Sequence, residues 1–291
     1  TDAEFQKYKL KNVIDPMVRA FWEKEMAKTS DFHKSEMLGY LISKVGRFVE
    51  NEMIRNIIGQ PKSGFNVREV MDNKKILLVN LAKGKVGEIN SNLLGLIIVS
   101  KLQMAALARA DMPEEKRNDF FLYIDEFQNF ITDSISTILA EARKYKLDLT
   151  MAHQYIGQLM GGGVEGKQGN SKIKDAVFGN VGTIISFRVG VDDAEVLAKQ
   201  FAPALNEYDV MNIDKFHAYV RLLINNAPSR PFTIATIYPS KGNPEIVEPI
   251  KELSRLKFGR DRALVNAEIL ERTKLGEIIK TTTAPASEPT L

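Results

Sequence analysis

The 291-residue sequence contains no cysteine. That excludes a disulfide framework, thiolate zinc, iron–sulfur clusters and a cysteine nucleophile. It contains only three histidines, which argues against a multi-histidine metal site. Charge of one sign is also missing: 40 Lys and Arg against 37 Asp and Glu leave +3, too little to mark a nucleic-acid binder by bulk charge. The longest mainly apolar stretch, Leu93 to Ala108, is interrupted by Ser100, Lys101 and Gln103 and does not read as a membrane span. No basic segment leads into an apolar one at the start, so no signal peptide is expected and the default compartment is the cytoplasm. The chain opens on Thr1 within a charged segment, which is expected of a fragment or a processed product.

What is present is ordinary globular composition, 44% apolar and 26% charged. Residues 1–64 read as a helical segment inserted in or packed beside a core. Asp15 caps a helix with Pro16 at its first position, and Met37, Leu38, Leu41, Ile42, Val45, Phe48 and Val49 form an apolar face before Gly59 and Pro61. Residues 65–240 alternate short apolar strands with helices. A strand is expected over Lys74–Leu81, then a helix from about Asn90, a strand in "DFFLYIDE", a helix in "SISTILAEARKYK", a strand in "LDLTMAHQ", a helix in "KIKDAVFGN" and a strand in "GTIISFRVG". "HAYVRLLI" and "RPFTIATIYP" predict an antiparallel pair. The expected class is therefore α/β, a mostly parallel sheet with flanking helices. Residues 241–291 predict short amphipathic helices and a tail with little to bury.

The strongest chemical signal is "FFLYIDEFQNF", where an apolar strand ends in Asp125 and Glu126. Ligands of open α/β sheets gather outside the carboxyl ends of strands. There Asp125 can serve Mg²⁺, directly or through water, and Glu126 can polarise an attacking water. A helix cap is the bland alternative for the same two acids. Gln154 ends the next strand and would lie beside Glu126 if the two strands are parallel neighbours. Arg143 sits at the end of the intervening helix, where a cation suits the helix dipole and could equally reach a neighbouring subunit's nucleotide. Arg188, ending "ISFR", could contact phosphate or a subunit junction, or pair with Asp192 or Asp193. His153 reads as structural. The glycine-rich "GQLMGGGVEGKQGNSKIKD" carries Lys167, Lys172 and Lys174, suited to phosphate backbones without base specificity. No G-x-x-x-x-G-K-[ST] phosphate loop occurs in the sequence, so these residues alone are expected to bind ATP poorly.

"FLYIDEFQNFITDSISTILAEARKYKLDLTMAHQYIGQL", with "AVFGNVGTIISFRVGVDDAEVLAKQF" and "KILLVNLAKG", resembles the conjugative coupling proteins of type IV secretion systems, hexameric DNA-pumping ATPases with a RecA-like P-loop NTPase core. The resemblance spans most of residues 65–240. It implies that Asp125 serves Mg²⁺, Glu126 activates water, Gln154 senses phosphate and Arg143 reaches across a ring. It further implies ATP as cofactor, a homo-hexamer around DNA, secretion-channel partners, and a position at the cytoplasmic face of the inner membrane. The phosphate loop is the departure, expected upstream in an intact protein. A non-catalytic adaptor and a protein-translocating ATPase are the competing functions. A Mg²⁺-dependent nuclease fits less well, because only one strong acid cluster is evident.

Overall fold

A computed structural model describes residues 3–130, 135–160 and 171–273. The chain forms two compact units, one of residues 1–63 with 252–291 and the other of residues 64–251.

In the first unit, α1 (Ala3–Leu10) precedes α2 (Pro16–Ala20), which runs through a π turn into α3 (Met26–Lys28). Asp15 caps α2 as expected, its Oδ1 accepting the Met17 N–H at 2.8 Å. Next come α4 (Asp31–Glu50), with Ser30 as its cap, and α5 (Glu52–Ile58). Ile54 of α5 is fully buried and packs in the same unit as Val265 and Ile269 of α14 (Arg262–Thr273), both nearly inaccessible. Arg262 pairs with Glu52 at 2.9 Å across this contact. The helix α13 (Val247–Phe258) lies at the boundary in sequence between the units.

The second unit begins with α6 (Val67–Asp72), a short α7 (Lys83–Val86) and the long α8 (Glu88–Leu107). Then β1 (Phe120–Ile124), α9 (Ile135–Glu141) and β2 (Leu147–Met151) form a strand–helix–strand crossover. The two strands are parallel, Phe120 opposite Leu147 and Ile124 opposite Met151. After α10 (Lys172–Asn180), β3 (Ile184–Ser186) leads to α11 (Val191–Phe201) and α12 (Glu207–Asn212). The unit closes with β4 (His217–Arg221), the hairpin β5 (Leu223–Ile224) and β6 (Ala227–Pro228), and β7 (Phe232–Ala235).

The α/β class is met, and β4 and β7 form the expected antiparallel pair. Two details differ from the sequence reading. The strand β3 pairs antiparallel with β4, so it belongs to a three-stranded sheet β3–β4–β7 and not to the parallel ladder of β1 and β2. The run Lys74–Leu81 forms no ladder, and Ile76 and Leu78 are 88% and 83% exposed. A β-branched, apolar run fits a pleated surface, but a strand exists only when a neighbour takes its backbone hydrogen bonds. Among the described residues none does. The run is tied down at its two ends, where the Lys75 N–H donates to the Val70 carbonyl at 3.0 Å and the Ser91 hydroxyl donates to the Leu81 carbonyl at 2.6 Å.

Helix α8 with the turn after it is long and apolar enough to cross a membrane by composition, at mean hydropathy 1.6. Its Leu102 and Ala106 instead join Met71, Ile124, Phe127, Ile138, Leu147 and Leu159 in the main core. Gly95 lets Phe130 lie against the helix, since a Cβ there would stand 2.2 Å from the ring.

One polar knot aligns the amino ends of β1 and β2. Arg109 has no accessible surface; its Nε donates to Asp72 Oδ1 at 3.0 Å, and its Nη1 donates to the carbonyls of Asn118 and Tyr145 at 2.9 Å and of Lys146 at 3.3 Å. Asn118 returns a hydrogen bond to the Asp72 carbonyl at 2.8 Å. Arg117 donates to the Arg109 carbonyl at 3.0 Å and lies over the Tyr145 ring. Asp72 is also paired with Arg68, so removing Arg109 leaves that carboxylate compensated but strands the buried carbonyls of Asn118, Tyr145 and Lys146. Arg109→Met is therefore expected to destabilise the protein by about 3–5 kcal/mol, read from the urea unfolding midpoint at unchanged slope. Asp72→Leu alone should cost less, because Arg109 then keeps its three carbonyl acceptors, and an unaltered midpoint in Arg109→Met would contradict this role.

Candidate active site at the carboxyl edge of the parallel strands

Because β1 and β2 are parallel and in register, the residues just beyond each strand emerge on the same edge. The ladder continues past both strands: Ala152 N–H donates to the Ile124 carbonyl and Phe127 N–H to the Ala152 carbonyl, each at 2.9 Å. Between these anchors Asp125 and Glu126 form the turn. Glu126 sits at φ 49°, in the left-handed region that a residue with a Cβ rarely adopts. The Asp125 carboxylate steadies the turn by accepting the Glu126 N–H at 2.9 Å.

Gln154 is brought to Glu126 as the parallel pairing requires, its Nε2 donating to Glu126 Oε1 at 2.8 Å. The segment that carries it is fixed twice. Gln158 Oε1 accepts the N–H groups of Gln154 and Tyr155 at 3.2 and 3.3 Å, and the buried Asp193 carboxylate accepts the Ile156 N–H with both oxygens at 3.1 Å. Asp193 is thus a backbone anchor and not the partner of Arg188. The Arg188 side chain is exposed two residues beyond β3, in the other sheet, with no ion pair to Asp192 or Asp193.

Two site residues escaped the sequence reading. Gln128, in the 3₁₀ turn Phe127–Phe130, donates from Nε2 to Glu126 Oε2 at 2.6 Å. Lys83, on α7, is close enough for its charge to act on Glu126 while it pairs with Glu88 at 2.8 Å. An amide two residues beyond an acid, and a lysine at the end of an apolar run, were the available signals. The hydrogen bonds from Gln154 and then Gln128, aided by Lys83, hold the Glu126 carboxyl below the usual glutamate range. His153, which precedes Gln154 in sequence, is half-buried, with Nδ1 lacking a hydrogen-bond partner.

Arg143 lies in the 3₁₀ turn Ala142–Tyr145, immediately before β2 and so at the opposite edge from Glu126, roughly 15 Å away by strand rise. It is exposed, and its Nη1 donates to Asn226 Oδ1 at 3.1 Å. Asn226 is in the tip of the β5–β6 hairpin, where it and Asn225 both take positive φ. Lys172 and Lys174 occupy the first turn of α10, with Lys174 facing the Glu195 charge, and Lys167 lies outside the described residues.

The residues suit a particular kind of metal site. Among the described residues no three His, Asp or Glu cluster to hold an ion. Asp125 is exposed and offers one carboxylate, which fits a Mg²⁺ held mainly by nucleotide phosphates and water and does not fit an all-protein cage.

Residues 7–201 match the family described as type IV secretory system conjugative DNA transfer, and the chain belongs to that family. No curated protein sequence matches it. Among solved structures, it is similar to the bacterial conjugative coupling protein TrwBdeltaN70 in an unbound form (14% identity, TM-score 0.41). The similarity covers 58% of this chain and 44% of that one, so the chain spans less than half of that relative's length. It is also similar to the genome-packaging NTPase B204 of Sulfolobus turreted icosahedral virus 2, solved with ATP-gammaS (15% identity, TM-score 0.36), over 58% of this chain and 71% of that one.

The electrostatics yield a direct test. A carboxyl whose ionised form accepts hydrogen bonds stays charged to lower pH, and removing a donor moves its titration upward. In Gln154→Leu, the Glu126 carboxyl should titrate at higher pH than in the parent, followed by side-chain carbon NMR. Superimposable titrations would mean that the Gln154–Glu126 bond is not formed in solution.

Proposed function

We propose that the chain is the part of an ATP-driven DNA translocase, with a RecA-like core, that carries its hydrolytic acids. The observation that supports this most is the Glu126 carboxylate at the carboxyl edge of the parallel pair, gripped by Gln154 from the neighbouring strand. In this reading Glu126 orients a water for attack on the γ-phosphorus of ATP and accepts its proton, and Gln154 reports whether that phosphate is present. Asp125 would hold Mg²⁺ through a water. The ion supplies charge neutralisation on the phosphate oxygens. Arg143, remote from its own subunit's acids, would reach the nucleotide of the next subunit in a head-to-tail ring, which we expect to have six members. Arg188 would lie near the nucleotide or the subunit junction. Lys167, Lys172 and Lys174 would meet DNA phosphates without reading bases. The ring would act at the cytoplasmic face of a membrane, feeding a secretion channel.

A second reading, a non-catalytic scaffold with an NTPase fold, is favoured by one observation: no G-x-x-x-x-G-K-[ST] occurs in these 291 residues. The full-length protein separates the two. Glu126→Gln should keep ATP binding and lose turnover by at least about 100-fold, measured as phosphate release with and without DNA. Turnover unchanged by this substitution would remove Glu126 as the base, and a parent protein without turnover would favour the scaffold.

The position of Arg143 has its own consequence. Mixing Arg143→Ala subunits with Glu126→Gln subunits should restore part of the activity, because some interfaces then keep both groups. Mixed rings verified by native mass spectrometry that show no recovery would exclude action in trans.

A further inference from the structure

The Glu126 carboxylate is held at both oxygens, and the second holder has no role in the reading above. Gln154 reaches Oε1 from beyond β2, while Gln128 reaches Oε2 from the turn just past β1. The two amides therefore come from different strands and close on the carboxylate from different sides. Gln128 is oriented at a cost to itself, because its Oε1 is buried without a hydrogen-bond partner. Packing alone does not select this arrangement. Turning the amide over would set its oxygen against the carboxylate, and swinging it outward would let water satisfy both ends.

The turn around Gln128 is correspondingly rigid. Phe127 is 1% exposed within the main core, Phe130 packs against that core, and the Phe127 N–H is tied to the Ala152 carbonyl at 2.9 Å. Glu126 itself is pinned in a left-handed conformation. A glutamate has three side-chain torsions. With a single donor on one oxygen, the carboxylate could still turn about its terminal bond and carry its free lone pairs away from a bound water. A second donor on the other oxygen removes that rotation.

We propose that Gln128 is a positioning residue that fixes the plane of the Glu126 carboxylate for water activation. This rests on the reading of Glu126 as the water-activating group. Positioning errors of about an ångström cost up to roughly 100-fold in rate.

The test uses the full-length protein and three substitutions. Gln128→Met keeps the length and loses the donor. Gln128→Glu keeps size and polarity but presents an acceptor. Gln128→His retains an N–H. Met and Glu should each lower kcat roughly 10- to 100-fold with the KM for ATP, thermal unfolding and ring assembly unchanged, and His should regain part of the rate. Either Met or Glu within twofold of the parent in kcat would overturn the proposal. So would loss of stability, KM and kcat together with no recovery in His, which describes a structural residue. Failure here is distinguishable from failure of the base assignment. If Glu126→Gln abolishes turnover while Gln128→Met does not, only the role of Gln128 falls; if Glu126→Gln remains active, both fall.

Discussion

The buried guanidinium of Arg109 is the constraint on which the second unit depends. It leaves the end of α8, pairs with Asp72 of α6, and gathers carbonyls from the residues leading into β1 and β2. Ionic groups are seldom taken fully out of water, because the desolvation cost is recovered only when nearly every donor is used. Here Nε is used on the Asp72 carboxylate and Nη1 on backbone oxygens of two segments that have to start level, while Nη2 is buried without a partner among the described residues. The Lys146 carbonyl also accepts the Phe120 N–H at 2.9 Å, which is the first rung of the parallel ladder. Register set at the amino ends fixes the carboxyl ends five residues later, and there Glu126 and Gln154 meet. A one-residue slip of β2 would carry Gln154 past its partner and turn the core face of that strand outward.

The site is built with little freedom left in it. Its acids occupy a turn with a left-handed residue, its two amides come from separate strands, and a buried aspartate fastens the loop behind Gln154. Such strain persists only where surrounding contacts over-determine it, and it tends to accompany function. Arg143 is different. It stands on the surface at the other edge, supported by one asparagine of a hairpin. One end of the parallel pair is therefore preorganised, and the other presents a long cationic side chain to whatever lies outside.

Much of this was legible in the sequence. An apolar run ending in two acids announced β1 and its edge, and a helix-length gap to the next apolar run implied a parallel neighbour. From that, the meeting of Gln154 with Glu126 is a matter of geometry. Gln128 was not legible, because an amide inside a turn has no period to betray it. Arg109 looks like an ordinary cation at the end of a helix, and only burial distinguishes it. The run Lys74–Leu81 has the composition of a strand, yet composition says nothing about who supplies the hydrogen bonds. The pairing of β3 with β4 was hidden for a related reason: a three-residue strand is too short to declare its direction.

The contact between Arg143 and Asn226 joins positions 83 residues apart. A growing chain completes the parallel pair, its acids and its amides well before the hairpin is made, and contacts of such separation form late in folding. The edge that carries Glu126 and Gln154 can thus be finished while the arginine edge is still without its support. In the proposed ring, where Arg143 would meet the next subunit, that order of events would delay engagement with neighbours until most of the domain has emerged.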